Sequence, residues 1–110
     1  MLFPRSQVRM VVNGSKIATL RKPSFRIKTG KDHKFINNFK YGAFATAFID
    51  SAEVIDVDDI DDELANDLGY ANRSEYLQNG WTDEYDERVL IRFHIVDVNC
   101  ETVKKILGEE

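Results

Sequence analysis

Read with a period of two, residues 88–98 place Val89, Ile91, Phe93 and Ile95 on one side and Leu90, Arg92, His94 and Val96 on the other. Alternation of this kind marks a β-strand, and no other stretch of the chain shows it so clearly. A second apolar stretch, residues 43–57, is rich in Phe, Ile, Val and Ala. It is too long for one plain strand, which predicts a bulge or turn at Asp50-Ser51. Whatever else the chain does, it has to bury these two segments in one sheet-based core.

The remaining elements are shorter. Pro4 suits the first turn of a helix, Val8, Val11 and Val12 follow at helical spacing, and Asn13-Gly14 is a stop, so the spacing predicts a helix over residues 4–13. Residues 16–21 then alternate polar and apolar. This predicts a half-buried strand anchored by Ile17 and Leu20, with Lys16 and Thr19 turned towards solvent or a pocket, and Pro23 ends the strand or leaves it at an edge. Lys28-Thr29-Gly30-Lys31-Asp32 reads as a turn. Asp58 or Asp59 caps a helix whose apolar stripe is Ile60, Leu64 and Leu68 and whose stop is Gly69. Asn72 with Glu75 starts another short helix carrying Tyr76 and Leu77, and a last one covers residues 101–107. The order implies one α+β domain over residues 1–110, a small, partly closed β-barrel with peripheral short helices.

Charge is distributed unevenly. Residues 1–40 hold ten cations against one acid, Asp32, while the other seventy residues hold five cations and eighteen acids. A basic face follows, unless the fold pairs the basic strands with acidic neighbours. Arg21, Lys22, Arg26, Lys28 and Lys31 can track a phosphate backbone. Phe25, Phe35, Phe39 and Tyr41 interleave with cations; an exposed ring there can stack on an unpaired base, and a buried one belongs to the core. RNA, or a nucleoside or nucleotide, is therefore the expected partner.

Several classes are expected to be absent. No run of eighteen apolar residues occurs, so no membrane partner is expected. Residues 1–5 lack a basic region followed by an apolar stretch, and Cys100 is the only cysteine, which together point to a reducing, cytoplasmic setting. Cys100 itself closes an apolar strand and reads as buried or inert. The acids at positions 56–63 lack the spacing of a calcium loop and suit a helix N-terminus instead. His33 and His94 lack clustered ligands, so no metal is expected, and no cofactor. Lys28-Thr29-Gly30-Lys31 is not a phosphate-binding P-loop, because the upstream glycine-rich stretch is missing. Trp81, after Asn79-Gly80, is either a core or lid residue or a surface for a ligand base.

Four segments in order resemble the ASCH domains of the PUA-like superfamily. Asn13-Gly14-Ser15-Lys16 leading into Ile17-Ala18-Thr19-Leu20-Arg21 is similar to that family's Gly-x-Lys-Thr-x-Thr-x-Arg segment. The Lys28-Thr29-Gly30-Lys31 turn, the Leu68-Gly69-Tyr70 segment spaced before Ser74-Glu75-Tyr76-Leu77, and the strand Val89-Leu90-Ile91-Arg92-Phe93 follow in the family's order. The resemblance implies a small PUA-like β-barrel that binds RNA in a cleft beside the basic strand. It also implies a second activity, since some small bacterial members are amidohydrolases that deacylate N4-acetylcytidine with a Lys, a Thr and a Glu. Carried over, Lys16 matches the Lys and Thr19 the second Thr, while Ile17 stands at the first Thr. The Glu position falls at Leu68, with Asp67 beside it, so Asp67 is the carboxylate offered for the catalytic set. In that role Thr19 Oγ attacks an amide carbonyl, Lys16 serves as base or offsets developing charge, and Asp67, or an acid of the Asp58 to Glu63 run, orients the set or shuttles protons. The bland alternative is that Lys16 and Thr19 are ordinary exposed strand residues.

Overall fold

A computed structural model describes residues 1–79 and 86–108. The elements in chain order are α1 (Arg5–Val12), β1 (Ala18–Arg21), β2 (Asp32–Ile36), β3 (Ala43–Asp56), a 3-10 turn (Val57–Asp59), α2 (Asp62–Asp67), α3 (Arg73–Asn79), β4 (Glu87–Val98) and α4 (Cys100–Leu107). The four strands form one antiparallel sheet in the order β1-β4-β3-β2. The two long apolar stretches of the sequence are its centre. Their ladder runs from Asp56 opposite Glu87 to Ala45 opposite Val98. The register shifts between Ile49 and Ser51, so the expected irregularity at Asp50 is present, and a second shift lies between Thr46 and Ala47.

The alternation of β4 builds two cores. Val89, Ile91 and Phe93 face inward against Phe3, Val8 and Val11 near α1, Phe35 of β2, Phe44 and Ile49 of β3, and Ile106 of α4. Phe35 sits between Phe3 and Phe93, with ring centroids 4.7 and 4.9 Å away, a spacing at which tilted rings attract beyond their area burial. On the opposite face Leu90 joins Ala18, Ile60, Ala65, Leu68 and Tyr76. Helices α2 and α3 therefore cover only the half of that face beside β1.

The sheet is not closed, contrary to the expectation of a partly closed barrel. β1 pairs with β4 alone and β2 with β3 alone, so the two edges do not meet. Residues 1–3 span between them: Leu2 bridges to Ile36 in parallel, Phe3 N–H donates to Ile36 O at 2.9 Å, and Arg21 Nη2 donates to Leu2 O at 2.7 Å. Closure requires strand number, tilt and stagger to match, and here β1 and β2 remain the two unpaired edges of the sheet. The resulting class is α+β, an open four-stranded sheet with short helices.

Three local expectations change. Asp61, rather than Asp58 or Asp59, caps α2 by accepting from Leu64 N–H at 2.8 Å; Asp58 and Asp59 lie in the 3-10 turn, itself capped by Asp56. The β2 strand was not expected, because Asp32-His33-Lys34 dilutes its alternation to one buried residue, Phe35. Cys100 is exposed, not buried: the strand ends at Val98, Asn99 accepts from Thr102 N–H, and Cys100 opens α4. No helix among the described residues is long and apolar enough to cross a membrane.

Candidate ligand site beside the first strand

The chain enters β1 under tight backbone control. After α1, Gly14 takes φ +84° and Asn13 Oδ1 accepts from Ser15 N–H. Lys16 N–H then donates to Met10 O, Ile17 N–H to Asp67 O, and Phe93 N–H to Ile17 O. These three bonds tie residues 16 and 17 to α1, to the end of α2 and to β4. They also reverse the expected facing. Lys16 and Thr19 are buried, each 3% exposed, whereas Ile17 is 42% exposed. Thr19 is buried because it lies opposite Ile91, a core residue of β4; residues opposed across an antiparallel pair share a face.

Lys16 extends towards the turn after α2, where Nζ donates to Leu68 O at 2.8 Å. Gly69 packs beside this bond. Its φ is +101°, and a Cβ there would lie 3.2 Å from Met10 Sδ and 3.6 Å from Lys16 Cβ. An ammonium has three donors, and Leu68 O is the one acceptor Lys16 holds among the described residues. Burial first, and the positive charge of Arg21 second, lower the Lys16 pKa from 10.5 to about 7. Arg21 is also half-buried, and burial lowers its pKa; a guanidinium nonetheless stays charged at neutral pH. It lies 5.0 Å from the centre of the Phe3 ring. Two cations thus influence each other, and neither makes an ion pair with a described acid. The Thr19 hydroxyl makes no side-chain hydrogen bond among the described residues, nor any bond to Lys16. Tyr70, directly after Gly69, packs edge-on against Tyr76 at 5.5 Å. Burial, then Tyr76 and Glu75, raise the Tyr70 pKa, so it remains a neutral hydroxyl.

The other expected residues do not converge here. Asp67 directs its carboxylate to Arg92, Oδ2 to Nη1 at 3.0 Å, while its backbone carbonyl takes Ile17 N–H. Asp67 therefore braces β1 through its backbone and does not complete a set with Lys16 and Thr19. Arg26 bends back onto Pro23 O and Phe25 O at 2.9 Å each. Lys22, Lys28 and Lys31 are exposed. The segment carrying them crosses from the β1 edge to the β2 edge, where Lys31 O accepts from Ile49 N–H. Of the four rings in this region, Phe35 is core, Phe25 and Tyr41 pack half-buried against the core, and Phe39 is 85% exposed. Trp81 lies outside the described residues. Among those described, no three His, Cys, Asp or Glu side chains are grouped to hold a metal ion.

No protein-family model matches the sequence, and no curated protein matches it. Solved structures do. The ASCH protein of Zymomonas mobilis superimposes with a TM-score of 0.68 at 9% identity, over 100% of this chain and 78% of that one. The ASCH domain of Lactobacillus crispatus gives 0.62 at 14% identity, over 81% and 69%. The fold is that of an ASCH domain. Protein EF3133 of Enterococcus faecalis, described as DUF984, is also similar, with a TM-score of 0.60 at 16% identity over 83% of this chain and 70% of that one.

On this fold Lys16 lies two residues before β1 and Thr19 is the second residue of the strand. Leu68, at the position where the motif resemblance implies a Glu, meets Lys16 through its backbone carbonyl only. The parts that sequence reading missed are the carbonyl Leu68 O and the packing of Met10 and Lys16 against Gly69. Their only sequence signal was the helix stop at Leu68-Gly69.

Proposed function

We propose that this chain is an ASCH-type module that binds RNA or a nucleotide beside β1, with Lys16, Thr19 and Arg21 at its centre and Lys22, Arg26, Lys28 and Lys31 leading away from it. The observation that carries this reading is the uncompensated pair Lys16 and Arg21. Two basic groups that influence each other, one buried and one half-buried, with no carboxylate on either among the described residues, raise the energy of the empty site. An anion relieves that repulsion, so a phosphate is favoured there. The contacts Arg92–Asp67 and His94–Asp50 both lie in the acidic part of the chain, and neither involves Lys16 or Arg21.

The test is fluorescence anisotropy of labelled single-stranded RNA and of a nucleotide over a salt series. Affinity is expected to fall steeply with salt. Arg21→Met, and separately the exposed pair Lys22→Gln with Lys28→Gln, are expected to weaken binding. No binding at low salt refutes the reading. So does binding that survives these changes and is abolished by removing the charges of Lys104 and Lys105 on α4.

A second reading, an amidohydrolase acting on N4-acetylcytidine-like nucleosides, is favoured by one specific observation. Lys16 with a pKa of about 7 is partly neutral at physiological pH and can accept a proton. The Thr19 hydroxyl, which makes no side-chain hydrogen bond among the described residues, is the nucleophile this reading requires. Against it stands the carboxylate of Asp67, engaged by Arg92. Acetate release from N4-acetylcytidine, lost in Thr19→Val, supports this reading; no release at any pH between 6 and 9 excludes it.

A further inference from the structure

The hairpin joining β2 to β3 presents Phe39 to solvent with 85% of its surface exposed, the most exposed large apolar side chain among the described residues. The turn beneath it is braced. Asn38 Oδ1 accepts from Lys40 N–H at 2.9 Å and from Tyr41 N–H at 3.3 Å, and Asn38 Nδ2 donates to Asn37 Oδ1. Asn37 Nδ2 donates to Phe3 O at 3.0 Å, and Gly42, at φ +74°, lets the chain reverse into β3. Tyr41 packs against the core with Lys40 Nζ 5.5 Å from its ring centre. The backbone is thus held by side-chain amides while the Phe39 ring has no apolar surface to rest on. The ring is thus held in water on a well-bonded turn, with its faces open to a flat partner.

The tip is also continuous with the site at β1. Phe3, whose carbonyl holds Asn37, lies under the Arg21 guanidinium, and Arg21 Nη2 bonds the neighbouring Leu2 carbonyl. Exposed cations surround it in sequence: Lys22, Arg26, Lys28, Lys31, Lys34 and Lys40, against Asp32 alone. We propose that Phe39 is a stacking platform for an unpaired base of single-stranded RNA whose phosphates follow these cations, an inference that rests on the RNA-binding reading above. The chemistry selects this partner. A polyanion complements the charge, and only a strand with unstacked bases offers a π-face to one isolated ring. A membrane surface fits less well, because Asn38 and Lys40 flank the ring and insertion draws on a larger apolar area than one side chain supplies.

The test is anisotropy of a labelled oligouridine dodecamer at low salt with the unaltered chain, Phe39→Ala, Phe39→Leu and Arg21→Met. Phe39→Ala is expected to bind about tenfold more weakly, with Phe39→Leu nearly as weak because an aliphatic side chain has no ring face. The salt dependence should stay unchanged, since no phosphate contact is removed, and thermal unfolding should stay unchanged, since the side chain is solvated. If Arg21→Met weakens binding and Phe39→Ala does not, the stacking proposal is overturned while the β1 site stands. If the unaltered chain binds no RNA, both fail. Phe39-dependent binding to phosphatidylserine vesicles, with RNA affinity unaffected by Phe39→Ala, assigns the ring to a lipid surface and also overturns the proposal.

Discussion

Replacing Lys16 by Met removes a buried amine while keeping a long, flexible apolar stem, and its effect on stability should depend on pH in a definite direction. The folded-state pKa, about 7, lies below the unfolded value of 10.5. Between those values the unfolded chain binds more protons than the folded one, so stability rises with pH across that window. Below it the penalty for burying the charge is fully present, about 5 kcal/mol for such a shift; above it the penalty is gone. Roughly 2 kcal/mol of it should be relieved between pH 7 and pH 9. Met carries none of this penalty, but it leaves Leu68 O without its donor, which costs about 1–3 kcal/mol at every pH. The variant is therefore expected to match or exceed the parent in stability at pH 6 and to fall behind it near pH 10. Urea unfolding of both proteins at unit steps of pH isolates Lys16, because every other titration cancels in the difference. Two parallel stability curves would mean that Lys16 titrates alike in the folded and unfolded states, contrary to a buried, charge-averse amine.

Two further substitutions separate core from site. Ile91→Ala empties a fully buried position between Thr19 and the inner rings and should cost about 2–5 kcal/mol in chemical denaturation. A loss below 1 kcal/mol would show that the inner core collapses around the deletion. Asp67→Asn weakens an ion pair whose partners are 25% and 39% exposed, so less than about 1 kcal/mol should be lost. The Lys16 titration, followed by NMR of its side chain, should not move; a clear further fall in the Lys16 pKa would mean that the Asp67 carboxylate does act on Lys16.

Local pattern carried much of the fold. The period of two in β4 placed Val89, Ile91 and Phe93 on one face and Leu90 on the other. Excess length revealed the register shift at Asp50, and the stops at Gly14 and Gly69 were legible because a positive φ after a helix has a strong residue preference. The cap of α3, Asn72 accepting from Glu75 N–H, is likewise a short-range bond. What sequence alone determined about this protein is therefore the identity and order of most elements, the basic bias of its first forty residues, and the motif containing Lys16 and Thr19. The tertiary structure decided which way those residues point. Lys16 turned inward because Met10 O and Asp67 O, from two other parts of the chain, hold the backbone at residues 16 and 17. The Asp67 carboxylate turned to Arg92, twenty-five residues away, which donates to it. Whether the sheet closed depended on how far apart two edge strands ended, and which of four rings stayed in water depended on what packed over each. These outcomes are set by contacts between segments distant in sequence, which residue spacing does not encode.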